Sequence, residues 1–239
     1  MGTRVAVIPA RGGSKRIPLK NIKNFCGHSI IAYSIKAAQE SELFDRIIVS
    51  TDDHEIAKVA KHYGAEVPFI RPAILSDDYT GTVPVINHSI NWLMENSEDV
   101  EYVCCIYATA PFIQPKYLQE GYKKLVKSGK SFAFTITTYS FPIQRSVRVL
   151  NDGSLDAFYP DYVNTRSQDL EEAYHDAGQF YWGRAEAFLN NEILFSPVSV
   201  PVLLPRHLVQ DIDTSEDWER AELMYRVLEQ ERNCKMVKP

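Results

Sequence analysis

The sequence predicts an α/β fold, a mostly parallel sheet flanked by helices, and three observations carry that prediction. Short apolar runs alternate with amphipathic stretches through the first half, the order a parallel sheet requires because parallel strands need long crossovers, usually helices. Residues suited to helix caps bracket several of the amphipathic stretches. A basic loop with two adjacent glycines follows the first apolar run, at the sheet edge where open α/β folds bind ligands.

The elements follow in order. "RVAVIP" opens the sheet, a helix covers about Ile30 to Gln39, and "RIIVST" is the second strand. Asp53 is the N-cap of the next helix, which buries Ile56, Val59, Ala60 and Tyr63 and stops at Gly64. "EVPFI" reads as a strand, and Val83, Ile86, Ile90 and Leu93 give the following helix its apolar stripe. "EYVCCIYA" returns to the sheet before a helix that starts near Pro115 and ends by Gly129. From "SFAFTITTY" onward strands lack intervening helices, a turn falls at "NDGS", and a polar stretch precedes "QFYWG". "VSVPVLLP" and a helix with Trp218, Ala221, Met224 and Leu228 close the chain.

The 239 residues fit a single domain, 1–239, with a small inserted lobe at about 139–173. No run of eighteen apolar residues and no signal-peptide pattern occurs, so a soluble, cytoplasmic protein is expected. A net charge of −5 argues against nonspecific nucleic-acid binding, which wants a basic surface. Cys104 and Cys105 are adjacent in an apolar strand, where neighbours face opposite sides; with Cys26 and Cys234 they read as thiols rather than a metal cluster or disulfide framework. Charge is uneven, since the first 24 residues carry six Lys or Arg and no acid, whereas 211–232 is mainly acidic.

In "PARGGSKRIPLKN" Gly12 and Gly13 let the backbone approach a ligand and turn amides inward, Ser14 adds a hydroxyl, and Arg11, Lys15 and Lys20 neutralise a phosphate chain. A solvated basic loop is the alternative. Neither G-x-x-x-x-G-K-[ST] nor G-x-G-x-x-G is present, which excludes a P-loop kinase and the common dinucleotide fingerprint. Late in the chain, "QDIDT" places Asp211 and Asp213 two apart, so on an extended segment both carboxylates point one way and suit Mg²⁺. The alternative is that they serve the N-terminus of the following helix, where Thr214 or Ser215 also caps.

Together with "FDRIIVSTDDHEIA", "GAEVPFIRPAILSDD" and "ATAPF", the opening and closing segments resemble the cytidylyltransferases that activate nine-carbon acidic sugars, the CMP-sialate synthetase group, over nearly the whole chain. The resemblance implies a Rossmann-like nucleotide-diphospho-sugar transferase fold and a reaction in which the anomeric hydroxyl of a 2-keto sugar acid attacks the α-phosphorus of CTP and releases pyrophosphate. Such transfer rests mostly on positioning and on stabilising charge at phosphate oxygens. By the resemblance Arg11 and Lys20 contact the triphosphate, Asn21 orients it, and Arg71 with Thr82 lie near the cytidine. Threonine stands at position 82 where the sialate enzymes carry serine, so the hydroxyl is kept. Arg11, Lys20 and Asp211 are the catalytic candidates.

Tyr107 stands where sialate synthetases place a glutamine that reaches the sugar. "YHDAGQFYWG" and "FPIQRS" are similar to the pseudaminic acid cytidylyltransferases, which feed flagellin or surface-glycan modification. Gln144, Arg166, His175, Asp176 and Gln179 are therefore sugar-site candidates, with Arg166 matched to the sugar carboxylate; each also has a structural reading, Arg166 as a dimer contact. Sialate or legionaminate are the rival acceptors, and a noncatalytic nucleotide-binding regulatory module is the rival of a different class. Phe180, Tyr181 and Trp182 read as core or interface, and His28, His54, His62, His88 and His207 as ordinary histidines. A homodimer, exchanging the 139–173 region, is implied by the resemblance.

Overall fold

The computed structural model describes the backbone of residues 2–236 and the side chains of residues 2–231, so Cys234 lies outside the described side chains. In chain order the strands are β1 (Thr3–Pro9), β2 (Asn24–Phe25), β3 (His28–Ser29), β4 (Arg46–Ser50), β5 (Val100–Ile106), β6 (Phe132–Thr138), β7 (Val147–Val149), β8 (Leu155–Ala157), β9 (Tyr174–Arg184) and β10 (Ser199–Leu203). The helices are α1 (Ile31–Glu40), α2 (His54–His62), α3 (Thr82–Glu95), α4 (Pro115–Ser128), α5 (Ala185–Leu189) and α6 (Ser215–Met236). The main sheet has the order β10-β6-β9-β5-β1-β4. β1 runs parallel to β4 and β5, and β10 parallel to β6, while β9 is antiparallel to both of its neighbours. The sheet is thus mixed but mostly parallel, as expected.

Local chemistry explains the helix limits. The Asp53 carboxylate accepts the amides of Glu55 and Ile56 at 2.8 and 3.0 Å, and Gly64 takes φ +87° just after α2. Pro115 begins α4 and Gly129, at φ +65°, ends it. "EVPFI" is a correction: only Glu66 pairs, through a single parallel bridge to Ile48, and Pro68 withholds the amide that a longer ladder would need. β9 reverses for a topological reason. The chain leaves β6 at one end of the sheet and comes back from the 139–173 region to that same end, where Tyr174 pairs with Thr138, so without a crossover it can only run the other way.

Strand alternation divides the core. Ala6, Ile8, Cys104 and Trp182 pack on one face of the sheet, and Val5, Val7, Cys105 and Tyr181 on the other. Cys104 and Cys105 are buried free thiols on opposite faces, as their spacing predicts. A third cluster matters more for function. Ile17 of the opening loop packs with Phe25, Leu208, Ile212 and the α6 residues Trp218 and Ala221. Burying this patch holds the start and the end of the chain together at the carboxyl edge of the parallel strands. The 139–173 region carries the β7–β8 hairpin, turned at Gly153 (φ +82°), and leaves Phe141 81% and Val149 72% exposed. No helix among the described residues is long and apolar enough to cross a membrane.

Candidate active site

β1 ends at Pro9, and the loop that follows bends back on itself. The buried Asn21 amide donates to the Arg11 carbonyl at 2.9 Å, which pins the bend at both ends. The Gly12 amide donates to Asp52 at 3.0 Å, and a Cβ at Gly12 would stand 2.7 Å from the Asp53 carboxylate. This corrects the expectation that Gly12 turns its amide toward a ligand: Asp52, at the end of the neighbouring strand, already takes that donor. Gly13 has nothing within 4 Å of its missing side chain and borders open space.

The loop encloses a cavity of about 300 Å³ whose walls include Arg11, Ser14, Arg16, Lys20, Arg71 and Thr82. Arg11 donates to the Asp77 carbonyl at 2.8 Å and pairs with Asp78 at 2.6 Å, and Lys15 pairs with the other Asp78 oxygen. Lys15 and then Arg11 hold the Asp78 carboxyl below the usual carboxylate range. Arg71 is buried, donates to Ser76 at 3.1 Å and lies 3.5 Å from Asp52. Desolvation lowers its pKa, with Asp52 opposing and the Arg11 charge adding to the shift. Arg11, Arg16, Lys20 and Arg71 converge on this one small cavity, each beside a carboxylate of Asp78, Asp213 or Asp52, so an entering polyphosphate meets four cations, and Arg11, Arg16 and Lys20 can exchange their protein partners for it.

The late acidic segment faces this loop directly. Lys20 donates to the Ile212 carbonyl at 2.6 Å and lies 3.4 Å from Asp213, and Arg16 pairs with Asp213 at 2.9 Å. The helix N-terminus is served by other groups: Asp217 accepts the Asp213 and Thr214 amides at 3.1 and 2.8 Å, and its own amide donates to the Thr214 hydroxyl. Asp211 and Asp213 therefore do not act as the cap. Partial desolvation and then the Asp213 charge push the Asp211 carboxyl up, opposed by Lys20. Among the described residues no three ligating side chains form a ready metal cage. A crowded carboxylate pair completed by water and phosphate oxygens nevertheless fits Mg²⁺.

Asp213 borders the first cavity, whereas Asp211 borders a second one of about 770 Å³, and Tyr107 lines both. His175, Asp176, Arg206, Gln210 and Arg220 share the second cavity. His175 Nδ1 is 2.8 Å from the Asp176 carbonyl, and its ring meets Tyr139 edge to face. The Asp176 carboxylate accepts the Gly178 amide at 2.9 Å and the Tyr181 hydroxyl at 2.5 Å.

Three sequence-derived sugar candidates fall elsewhere in the chain. Gln179 is 4% exposed and donates to the Leu208 carbonyl at 2.5 Å, tying β9 to the turn before Asp211; it lies where the β6–β9 register shifts, beside the core residue Phe180 rather than on the cavity wall. Gln144 donates to the Glu171 carbonyl at 3.0 Å, and Arg166 pairs with Asp169 at 2.6 Å, so both are engaged within the inserted region and line neither cavity. His207, read as an ordinary histidine, lines the second cavity. Sequence reading also missed Arg206 and Arg220. Both lie close to the Asp211–Asp213 pair in sequence, but no spacing signal marks them.

Residues 5–197 match the cytidylyltransferase family model. The chain is 44% identical over 223 residues to a pseudaminic acid cytidylyltransferase of Campylobacter jejuni, covering 93% of this chain and 96% of the relative. It is 31% identical to a CMP-N,N'-diacetyllegionaminic acid synthase of Legionella pneumophila, covering 91% and 94% of the two chains. A CMP:2-keto-3-deoxy-manno-octonic acid synthetase complexed with CTP shares the fold, with a TM-score of 0.67 at 16% identity over 96% of this chain and 99% of that one.

Proposed function

The chain belongs to the cytidylyltransferase family, whose members are nucleotidyltransferases, and from that premise we propose that it transfers CMP from CTP to the anomeric hydroxyl of pseudaminic acid, giving CMP-pseudaminate and pyrophosphate. The observation that carries the reading is the pair of adjoining cavities, one rich in cations and one large enough for a sugar acid, meeting at Tyr107 beside Asp211 and Asp213. The choice of pseudaminate rests on the 44% identity to the Campylobacter jejuni enzyme against 31% to the legionaminic acid synthase.

In this mechanism Arg11, Lys15 and Lys20 exchange their protein carboxylates for the triphosphate, and Arg71 with Thr82 face the cytidine. Fixed cations in a partly enclosed cavity stabilise the charge that grows on the phosphate oxygens, and they need no reorganisation at the moment of transfer. The sugar acid occupies the second cavity. There Arg206 and Arg220 oppose its carboxylate and His175, with Tyr107, contacts its polar groups, which brings the attacking hydroxyl to the seam between the cavities. Asp211 and Asp213 would hold Mg²⁺, which when bound neutralises phosphate charge and polarises the phosphorus centre. The exposed apolar side chains of the 139–173 region, including Phe141, Val149 and Leu155, fit a homodimer contact. The site of action in this reading is the cytoplasm, with the product feeding flagellin or surface-glycan modification.

Pyrophosphate release with CTP, Mg²⁺ and a panel of nonulosonic acids is the test. Turnover highest with pseudaminate supports the reading; preference for legionaminate or sialate overturns the acceptor assignment; CTP binding without release to any acceptor overturns the enzymatic assignment.

A further inference from the structure

The turn that leaves β4 touches two sides of the first cavity. The Ser50 carbonyl accepts the Ala10 amide at 2.9 Å, where the basic loop begins, and the Thr51 carbonyl accepts the Arg71 amide at 2.7 Å. Asp53 is committed to the N-terminus of α2. Asp52 is left to the site: its Oδ1 accepts the Gly12 amide at 3.0 Å and lies 3.5 Å from Arg71 Nη2. One carboxylate oxygen therefore joins the basic loop, 40 residues away in sequence, to a guanidinium 19 residues away. Arg71 lines the cavity, whereas Asp52 stands behind it and does not.

Burial gives this contact its weight. The Arg71 side chain is only 3% exposed, and Asp52 is the one carboxylate paired with it among the described residues. A buried charge stripped of its partner is strongly destabilised, so Arg71 keeps this place only while Asp52 is ionised behind it. A guanidinium also has more N–H donors than Asp52 and Ser76 take up, and the others remain for a ligand. We propose that Asp52 is a positioning residue for nucleotide binding, holding the Gly12 turn of the basic loop and the Arg71 guanidinium in one fixed relation while other residues touch the ligand. The proposal rests on the reading of this cavity as the CTP site. It also fixes a sign. A carboxylate standing idle near a triphosphate repels it, so neutralising an idle Asp52 would tighten CTP binding; neutralising a positioning Asp52 weakens it.

Steady-state rates are measured for wild type, Asp52→Asn, Asp52→Ala, Arg71→Met and the Asp52→Ala/Arg71→Met double variant, with KM taken separately for CTP and for the sugar acid. Asp52→Ala is expected to raise the CTP KM by about 10- to 100-fold, and Asp52→Asn, whose amide oxygen still accepts from Gly12, by about 3- to 10-fold. The sugar-acid KM and kcat should change by less than about threefold. In the Arg71→Met background Asp52→Ala should cost at least about threefold less than in wild type, because the two residues act on one another. An unchanged or lowered CTP KM in either Asp52 variant, an equal loss for both substrates, or independent effects in the double variant overturns the proposal. If Asp52→Ala does not fold, Asp52→Asn carries the same comparisons. Amide hydrogen exchange of the ligand-free protein supplies a measurement without turnover. Gly12 should be protected in wild type and in Arg71→Met, and should exchange at least about tenfold faster in Asp52→Ala. A Gly12 amide that exchanges freely in folded wild type overturns the proposal even if turnover is normal. Failure of wild type to release pyrophosphate with any acid instead counts against the functional reading, and the Gly12 exchange still decides whether Asp52 holds the loop.

Discussion

The Lys20 ammonium donates to the Ile212 carbonyl at 2.6 Å and stands 3.4 Å from the Asp213 carboxylate, joining segments 192 and 193 residues apart. A cation held by a backbone carbonyl beside an acidic pair is positioned before any nucleotide arrives. Lys20→Met is expected to lower kcat/KM for CTP by about a hundred- to a thousandfold, the scale of losing one fixed donor to a charge-developing oxygen. The assay is pyrophosphate release at varied CTP. A loss under tenfold would remove Lys20 from the triphosphate site.

The two loop glycines should behave differently. At Gly12 a Cβ meets Asp53 at 2.7 Å, whereas at Gly13 it meets nothing. Gly12→Ala is expected to lower the melting temperature as the loop shifts, while Gly13→Ala leaves it unchanged but weakens CTP binding, because its methyl enters the space beside the phosphates. Thermal melts and calorimetric titration with CTP read the pair, and unchanged CTP affinity in Gly13→Ala would place the triphosphate elsewhere.

The Asp211 carboxyl lies above its ordinary value of 3.8, and the sign of the consequence follows. A folded-state pKa above the unfolded one means that the native state binds the proton more readily, so this group lowers stability as pH rises through the interval and continues to do so at neutral pH. Asp211→Asn is therefore expected to raise the melting temperature of the metal-free protein at pH 7, with the gain fading below about pH 4, while Mg²⁺-dependent turnover collapses. Full turnover in the variant would remove Asp211 from the metal site. In wild type, activity should fall as pH drops through the raised value.

Gln179 is buried and donates to Leu208 at 2.5 Å. Its role is structural, holding the turn from which Asp211 extends. Gln179→Leu leaves that carbonyl unpaired and is expected to cost about 1–3 kcal/mol, read by urea unfolding. A variant of wild-type stability that has lost only sugar affinity would restore Gln179 to the sugar site.

The apolar face of the inserted region predicts association. Val149 is 72% exposed and Phe158 54% exposed, and Val149→Asp with Phe158→Asp should convert a dimer to a monomer in light scattering. A monomeric wild type would refute the homodimer.

Much of this was readable along the chain. Asp53 and Gly64 mark the ends of α2, Pro115 and Gly129 mark α4, and the Cys104–Cys105 alternation separates the two cores, because caps and strand periodicity are local properties of neighbouring residues. The basic loop and the late aspartates were also visible as motifs, since each is contiguous.

Other features were decided by the tertiary structure. Gln179 points inward, Arg206 and Arg220 reach the second cavity, "EVPFI" forms only one bridge, and the Gly12 amide belongs to Asp52. Each of these depends on a partner supplied by another element. Sequence alone therefore determined most of the helix, strand and loop segments, "EVPFI" excepted, and where the chemical groups lie in order. Only the packed chain decided which groups meet, because periodicity reports that a face is buried but not against what, and a polar side chain's partner is set by contacts such as Ile17 buried against Ile212 and Trp218, residues distant in sequence.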